Sequence, residues 1–202
     1  ALRELVPEDV ETLDLEAFTQ LAFRTKRFFD GSGRWACIGD AAAFTDPFYS
    51  PGSDFIALEN DYVTDLVQKD LAGEDVGELG RLYDDFMQFR FESTLVIYQD
   101  LYPTFGSFEL FRAKVYFDTA LYYNLLFDSY ARDQHLEGRW LRTQLRRRPA
   151  VMEALHQYAG LFRGVGEELQ RRGAYHRHHP GTWEHEAPVN VGGVGAVEGD
   201  GA

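Results

Sequence analysis

The residue types best suited to chemistry fall in one short run, Gly39-Asp40-Ala41-Ala42-Ala43-Phe44-Thr45-Asp46-Pro47-Phe48-Tyr49-Ser50-Pro51-Gly52-Ser53. A carboxylate at Asp40, at the end of the apolar run Trp35-Ala36-Cys37-Ile38-Gly39, can accept hydrogen bonds from two vicinal hydroxyls, as on a ribose or a ribityl chain. Ala41, Ala42 and Ala43 leave room for an extended ligand beside the backbone. Pro47 and Pro51 stiffen the loop that follows, and Gly52 permits close backbone approach. Ser53 or Asp54 can cap a helix whose N-terminal N–H groups and partial positive charge suit an anion or an electron-rich ring carbonyl. The simpler reading is an ordinary strand-to-helix turn capped by Asp40.

Elements to position these residues are legible on both sides. Upstream, Pro7 suits a first helical position, and Val10, Leu13, Ala17 and Leu21 share a face. The runs "RTKRFF" and "RWACIG" read as two strands joined by a tight Asp-Gly turn. "WACIG" is apolar on both faces, which suits the interior of a covered sheet; an isolated chain would expose it. From Ser53 to about Leu71 the pattern is helical, with Phe55, Leu58, Tyr62, Leu66 and Val67 on one side. "AGEDVGELG" reads as a linker, and helices are expected over about 78–98, 107–131 and 149–172, with 132–148 continuing helical and broken near Gly138. The domain expectation is a piece of one domain over 1–71, a helical region over 72–186 and a flexible tail over 187–202.

Bulk composition narrows the classes. The 202 residues, 45% hydrophobic and 15% aromatic, can build a substantial core. A formal charge of −13 argues against a nucleic-acid backbone binder, and "RRRP" at 146–149 is too short to offset it. One cysteine, Cys37, excludes an internal disulfide framework and fits a reducing, cytoplasmic setting. No apolar run approaches the roughly 20 residues that span a bilayer, so no membrane role is expected.

The 39–52 run resembles the C-terminal FAD-binding motif of the flavin-dependent monooxygenase superfamily, and most closely its flavin-dependent, tryptophan halogenase-like branch, in which Gly-Asp is followed by Asp-Pro and Ser-x-Gly. The resemblance covers about residues 34–67. It implies a fold that is mostly α with a short β-hairpin, the C-terminal part of an α/β, Rossmann-like FAD-binding flavoprotein. It implies FAD as cofactor, with Gly39, Asp40, Ala41, Pro47, Gly52 and Ser53 as cofactor-binding residues. Asp40 would contact the ribityl or pyrophosphate region, and the 47–54 loop would lie beside the isoalloxazine ring. In the halogenase branch this loop holds halide through backbone amides; Pro51 has no N–H, which leaves Ser50 and Gly52. Ala43 stands where the aromatic hydroxylases commonly carry histidine.

Other family marks are absent. The superfamily opens with a strand, a Gly-x-Gly-x-x-Gly turn and a helix. The nearest glycine cluster, "GGVGAVEG" at 192–199, has no preceding strand and carries Glu198 at the sixth position. The halogenases' catalytic lysine and Trp-x-Trp-x-Ile-Pro segment cannot be placed, so no catalytic residue is assigned. The chain, opening at Ala1 in an already amphipathic stretch, therefore reads as a C-terminal fragment whose nucleotide-binding half is missing.

The expected function is that of a FAD-dependent monooxygenase- or halogenase-like oxidoreductase, inactive as an isolated chain, with a small-molecule substrate for which an aromatic is one reading. Its electrons would come from NAD(P)H directly or from a partner flavin reductase. The alternatives are a stand-alone helical binding module with an aromatic-lined groove and a flavin-dependent lipid or polyprenyl reductase. The aromatics Phe105, Phe108, Phe111, Tyr116, Phe117, Tyr122, Tyr123 and Phe127 are expected mainly as core, with a substrate pocket as the second reading. His176, His178, His179 and His185 match no standard metal spacing, and no metal is assigned. His135 and His156 read as structural or solvent-facing, and Asp84-Asp85 as a solvated helix face.

Overall fold

The computed structural model describes residues 21–99 and 101–175. The first expected helix lies largely outside these residues, as do the histidine-rich segment and the C-terminal tail.

Two short antiparallel ladders open the described chain. Strand β1 (Phe23–Arg24) pairs with β4 (Ala43–Phe44), and β2 (Phe29–Asp30) pairs with β3 (Trp35–Ala36). The β2–β3 register sets Asp30 against Trp35, so the connection is a loop over 31–34 and not a two-residue turn. Asp30 shapes it by accepting the Gly33 N–H at 2.8 Å, and Arg34 turns the chain with a φ of 53°. "WACIG" is not an interior strand among the described residues. Only Trp35–Ala36 pairs, on one edge, and Trp35 and Ile38 are 45% and 39% exposed. The Rossmann-like half of the expected fold likewise has no counterpart among the described residues, whose sheet structure is these two ladders.

Helices supply the rest, so the mostly α expectation holds. Helix α1 spans Pro51–Leu71 and α2 Gly77–Gln99. Helix α3 (Phe108–Tyr122) runs through a π turn (Tyr123–Phe127) into the short α4 (Asp128–Ala131). Helix α5 spans Gly138–Arg171: it begins at the expected break near Gly138 and joins the helical stretch before 149 to the one expected over 149–172, continuing through Pro149. Proline removes one helical hydrogen bond there. Leu141, fully buried, and Leu145 pack the preceding turns onto the core and hold the helix across it. No helix among the described residues is long and apolar enough to cross a membrane.

The hairpin is locked to α2 by two devices. An added Cβ on Gly31 would lie 2.2 Å from the Val76 carbonyl oxygen, and one on Gly80 2.7 Å from the Gly31 nitrogen, so both close approaches require glycine. Asp84 is not a solvated acid: its carboxylate accepts the N–H groups of Phe28 and Phe29, while Asp85 is exposed. Above this joint sit Phe28, Phe29, Tyr62, Tyr83, Phe86, Met87 and Leu141, all within one continuous core. Tyr62 and Tyr83 stack at 4.1 Å, and the Tyr83 hydroxyl donates to Asp65 at 2.6 Å. Val96, Leu155 and Ala159 extend the α2–α5 contact beyond it.

Helix α3 reverses the expected pattern. None of the eight aromatics assigned to core is fully buried; the buried face is Leu110, Lys114 and Asp118, spaced four residues apart. Lys114 and Asp118 neutralise each other, with Nζ 2.7 and 2.6 Å from the two carboxylate oxygens and 2.9 Å from the Ile97 carbonyl. That pairing permits a charged face to turn inward. His135 is structural: it is buried, its Nε2 lies 2.9 Å from Asp61 Oδ2, and it stacks on Tyr130; His156 is exposed.

Candidate functional site

The Gly-Asp segment is a 3-10 turn, not a strand end. The strand stops at Ala36, and Gly39–Ala41 turns with Gly39 at a φ of 58°, a left-handed conformation that favours glycine. The turn is held from two sides: the Ala42 N–H donates to the Gly39 carbonyl at 2.9 Å, and the Gly39 N–H donates to Glu59 Oε2 at 2.7 Å. Asp40 and Ala41 are exposed, and Asp40 makes no hydrogen bond among the described residues. Ala42 and Ala43 are buried, so their small size serves packing and not the passage of a ligand.

Glu59 was invisible as a site residue in the sequence. It occupies the apolar face of α1 beside Phe55, Leu58 and Tyr62, fully buried, with Oε1 unpartnered among the described residues. Burial raises its pKa from 4.5 to about 7, against the opposing pull of the Gly39 N–H. A lone carboxylate on an apolar helical face was the signal available.

The loop to α1 is tightly organised. Asp46 Oδ1 accepts the Phe48 N–H at 2.8 Å, the Tyr102 hydroxyl donates to both Asp46 oxygens, and the Tyr98 hydroxyl donates to the Phe48 carbonyl. Tyr49 and Ser50 take left-handed conformations, with φ of 64° and 54°. Pro47 is exposed, and its carbonyl accepts the Ser50 N–H at 3.1 Å. The helix begins at Pro51 with Ser50 in the cap position, so Ser53 and Asp54 lie inside the first turn and do not cap it. Ser53 N–H donates to the Ser50 carbonyl at 3.2 Å, leaving the Gly52 N–H, of the two amides named for halide, without a main-chain acceptor among the described residues. Gly52 and Ser53 are exposed, and nothing lies within 4 Å of an added Cβ on Gly52.

Behind this loop lies a cavity of about 260 Å³, walled by Tyr49 of the loop, by Pro51 at the start of α1 and by side chains of α1, α2, α3, the π turn and α5. Of the aromatic stripe on α3, Tyr122 lines it. Its charged lining is Asp54, Arg90 and Asp118. Burial raises the pKa of Asp118, opposed by Lys114, and the Tyr49 hydroxyl donates to Asp118 at 3.3 Å. Burial also raises Asp54, opposed by the Tyr122 hydroxyl at 3.3 Å and by the charge of Arg90. Arg90 has its own pKa lowered by burial, and its Nε has no hydrogen-bond partner among the described residues. The sequence reading missed Arg90, Lys114 and Asp118; the spacing of the latter two, four apart among aromatics, was the readable trace.

Two groups of this segment stand open at the surface. An unpaired exposed carboxylate at Asp40 suits ligand hydroxyls, and the open face at Gly52 offers an N–H at a helix start, where partial positive charge gathers. The chain is similar to the flavin-dependent halogenase chlA of Dictyostelium discoideum, at 29% identity over 128 residues, which cover 62% of this chain and 21% of that protein. The chain thus spans about a fifth of the length of that relative. No family model and no solved structure matches it. The likeness supports a distant, flavin-dependent halogenase-like relationship.

Proposed function

We propose that this chain is part of a FAD-dependent oxidoreductase of the halogenase or monooxygenase type, contributing cofactor contacts from 39–53 and a substrate cavity from its helices. The carrying observation is a juxtaposition: Tyr49 and Pro51, within the motif that resembles a flavin-binding segment, also wall the interior cavity. One loop therefore has a cofactor-type surface outside and an apolar chamber behind it. The halogenase likeness supports the same reading.

On this reading Asp40 accepts hydrogen bonds from the hydroxyls of the cofactor's sugar-alcohol or ribose portion, and Glu59 holds the Gly39 turn that presents it. The first turn of α1 offers the Gly52 N–H and its helix-end charge to electron density on the ring. When bound, FAD supplies the redox chemistry. A halide would find the Gly52 amide open, since the Ser50 amide is already bonded to Pro47.

The test is flavin titration, followed by fluorescence quenching and visible absorbance, of the 202-residue chain and of a longer protein carrying sequence upstream of Ala1. Saturable binding by the longer protein, weakened at least tenfold by Asp40→Ala without a change in melting temperature, is the expected result. Absence of binding in both forms, with the 202-residue chain melting cooperatively, favours the helical binding module instead.

A further inference from the structure

We propose that the Gly39–Ala41 turn is a pH-sensitive flap, latched on α1 while Glu59 is protonated and lifting from it when Glu59 ionises. Glu59 is fully buried on the apolar face of α1, and its Oε1 has no hydrogen-bond partner among the described residues. A single N–H, that of Gly39, meets the other oxygen. A carboxylate held ionised out of water typically has several N–H donors or a cation beside it. One main-chain donor does not supply that, whereas a neutral carboxyl still offers Gly39 its carbonyl oxygen. The proton therefore goes with the closed turn, and ionisation favours an arrangement that lets water reach the carboxylate.

The turn is a thin cover with fixed edges. Ile38, Asp40 and Ala41 are exposed, and an added Cβ on Gly39 would lie 3.5 Å from Ile56 of α1. Before the turn, the Cys37 N–H donates to the Phe28 carbonyl at 2.8 Å. After it, the Ala42 carbonyl accepts the Thr25 N–H at 2.7 Å, and Ala42 is fully buried. Between these anchors, two bonds hold the turn among the described residues: Gly39 N–H to Glu59, and Ala42 N–H to the Gly39 carbonyl. Lifting 38–41 thus requires neither the hairpin nor α1 to unfold.

The neighbouring charges are committed elsewhere. On α1, Asp54 accepts from the Tyr122 hydroxyl, Asp61 lies against His135, and Asp65 is bonded by Tyr83 and Lys69. From α2, Arg90 answers the charge of Asp54, and Asp84 accepts the N–H groups of Phe28 and Phe29. The hydroxyls of Tyr62 and Tyr83 stay neutral, because burial raises both. Asp40 is exposed on the turn itself. The pKa of Glu59, about 7, is raised by burial and opposed by the Gly39 N–H, so the group titrates where the flap is to respond.

A role for the flap in presenting Asp40 to a cofactor rests on the flavin reading; its movement does not, and it is measured without flavin. The experiment is amide hydrogen exchange by NMR on the 202-residue chain between pH 6 and 8, corrected for the intrinsic pH dependence of exchange. Opening at Gly39 and Ala42 should rise together by roughly tenfold over that range. Both amides should open more readily than that of Met87, buried in α2, which reports unfolding of the core. Glu59→Gln, neutral at every pH and keeping the carbonyl, should hold opening at a low level that does not vary with pH. Flat opening in the unmodified chain overturns the proposal. So does a change at Gly39 alone, which a nearby charge causes without movement. Equal opening of Gly39 and Met87 also overturns it, since the turn then opens only with the core. A rise that persists in Glu59→Gln assigns the response to another group and overturns it as well. The first three outcomes are read in the unmodified chain, so a variant that fails to fold does not shield the idea.

Discussion

Glu59 on α1 accepts the main-chain N–H of Gly39 at 2.7 Å, joining the Gly-Asp turn to a helix twenty positions further along the chain. The bond is made by a buried carboxylate whose pKa rises to about 7, and so it carries a pH signature. An acid whose folded pKa exceeds its unfolded value of 4.5 binds protons more tightly in the folded state. Stability is then full below about pH 4.5, falls as pH rises towards 7 and levels off above it. Allowing for partial solvent screening, the total is about 2–3 kcal/mol. Asp54, Asp84 and Asp118 shift in the same direction, so the diagnostic is a difference. Urea unfolding of Glu59→Gln should show a shallower decline between pH 5 and 7 than the unmodified chain; parallel curves would refute the assignment.

The Lys114–Asp118 pair makes a second prediction. Lys114→Met strands a buried carboxylate and should cost about 3–5 kcal/mol. Adding Asp118→Leu to the same chain should recover most of that loss, because the lone charge is then gone too. A double-mutant cycle by chemical denaturation reads the coupling. Additive losses would show that the two side chains do not depend on each other.

Glycine substitutions should divide by site. Gly31→Ala drives a methyl into the Val76 carbonyl and should destabilise by about 1–3 kcal/mol or more. Gly164 sits inside α5 with nothing within 4 Å of an added Cβ. Gly164→Ala should stabilise by about 0.5–1 kcal/mol through helix propensity. Thermal melts of the two variants, moving in opposite directions, are the expected outcome.

Asp84 and Asp85 are adjacent and should behave differently. Asp84→Ala removes the acceptor for two strand N–H groups and should cost about 1–3 kcal/mol, partly offset by relief of its own burial. Asp85→Ala, on the exposed side, should stay within about 0.5 kcal/mol. Amide exchange at Phe28 and Phe29 should quicken in the first variant and not in the second.

Helices were legible because apolar residues repeat at helical spacing; α1 and α2 lie within two residues of where Phe55, Leu58, Tyr62 and the 78–98 pattern put them. Helix α5 runs unbroken through Pro149, and burial of Leu141 on the near side outweighs one lost hydrogen bond. What failed did so for identifiable reasons. The aromatics of α3 looked like core because hydrophobicity alone was counted; the Lys114–Asp118 pair made the charged face the buried one. Gly39 and Asp40 were readable as a turn from residue type alone. The partners that hold it, and Arg90 behind it, depend on contacts between distant segments, which local spacing does not encode.

The π turn at Tyr123–Phe127 divides what would otherwise be one rod into two independently indexed halves. An extra residue in a helix rotates everything after it by roughly 100° relative to an unbroken α-helix. Ahead of the turn, the phase is set by Lys114 and Asp118 facing the interior; beyond it, Tyr130 faces His135, which reaches Asp61 on α1. Removing one residue there would make the helix more regular and misdirect one half or the other. The irregularity acts as a gear: side chains on the chamber side can change identity while the far end keeps its grip on α1.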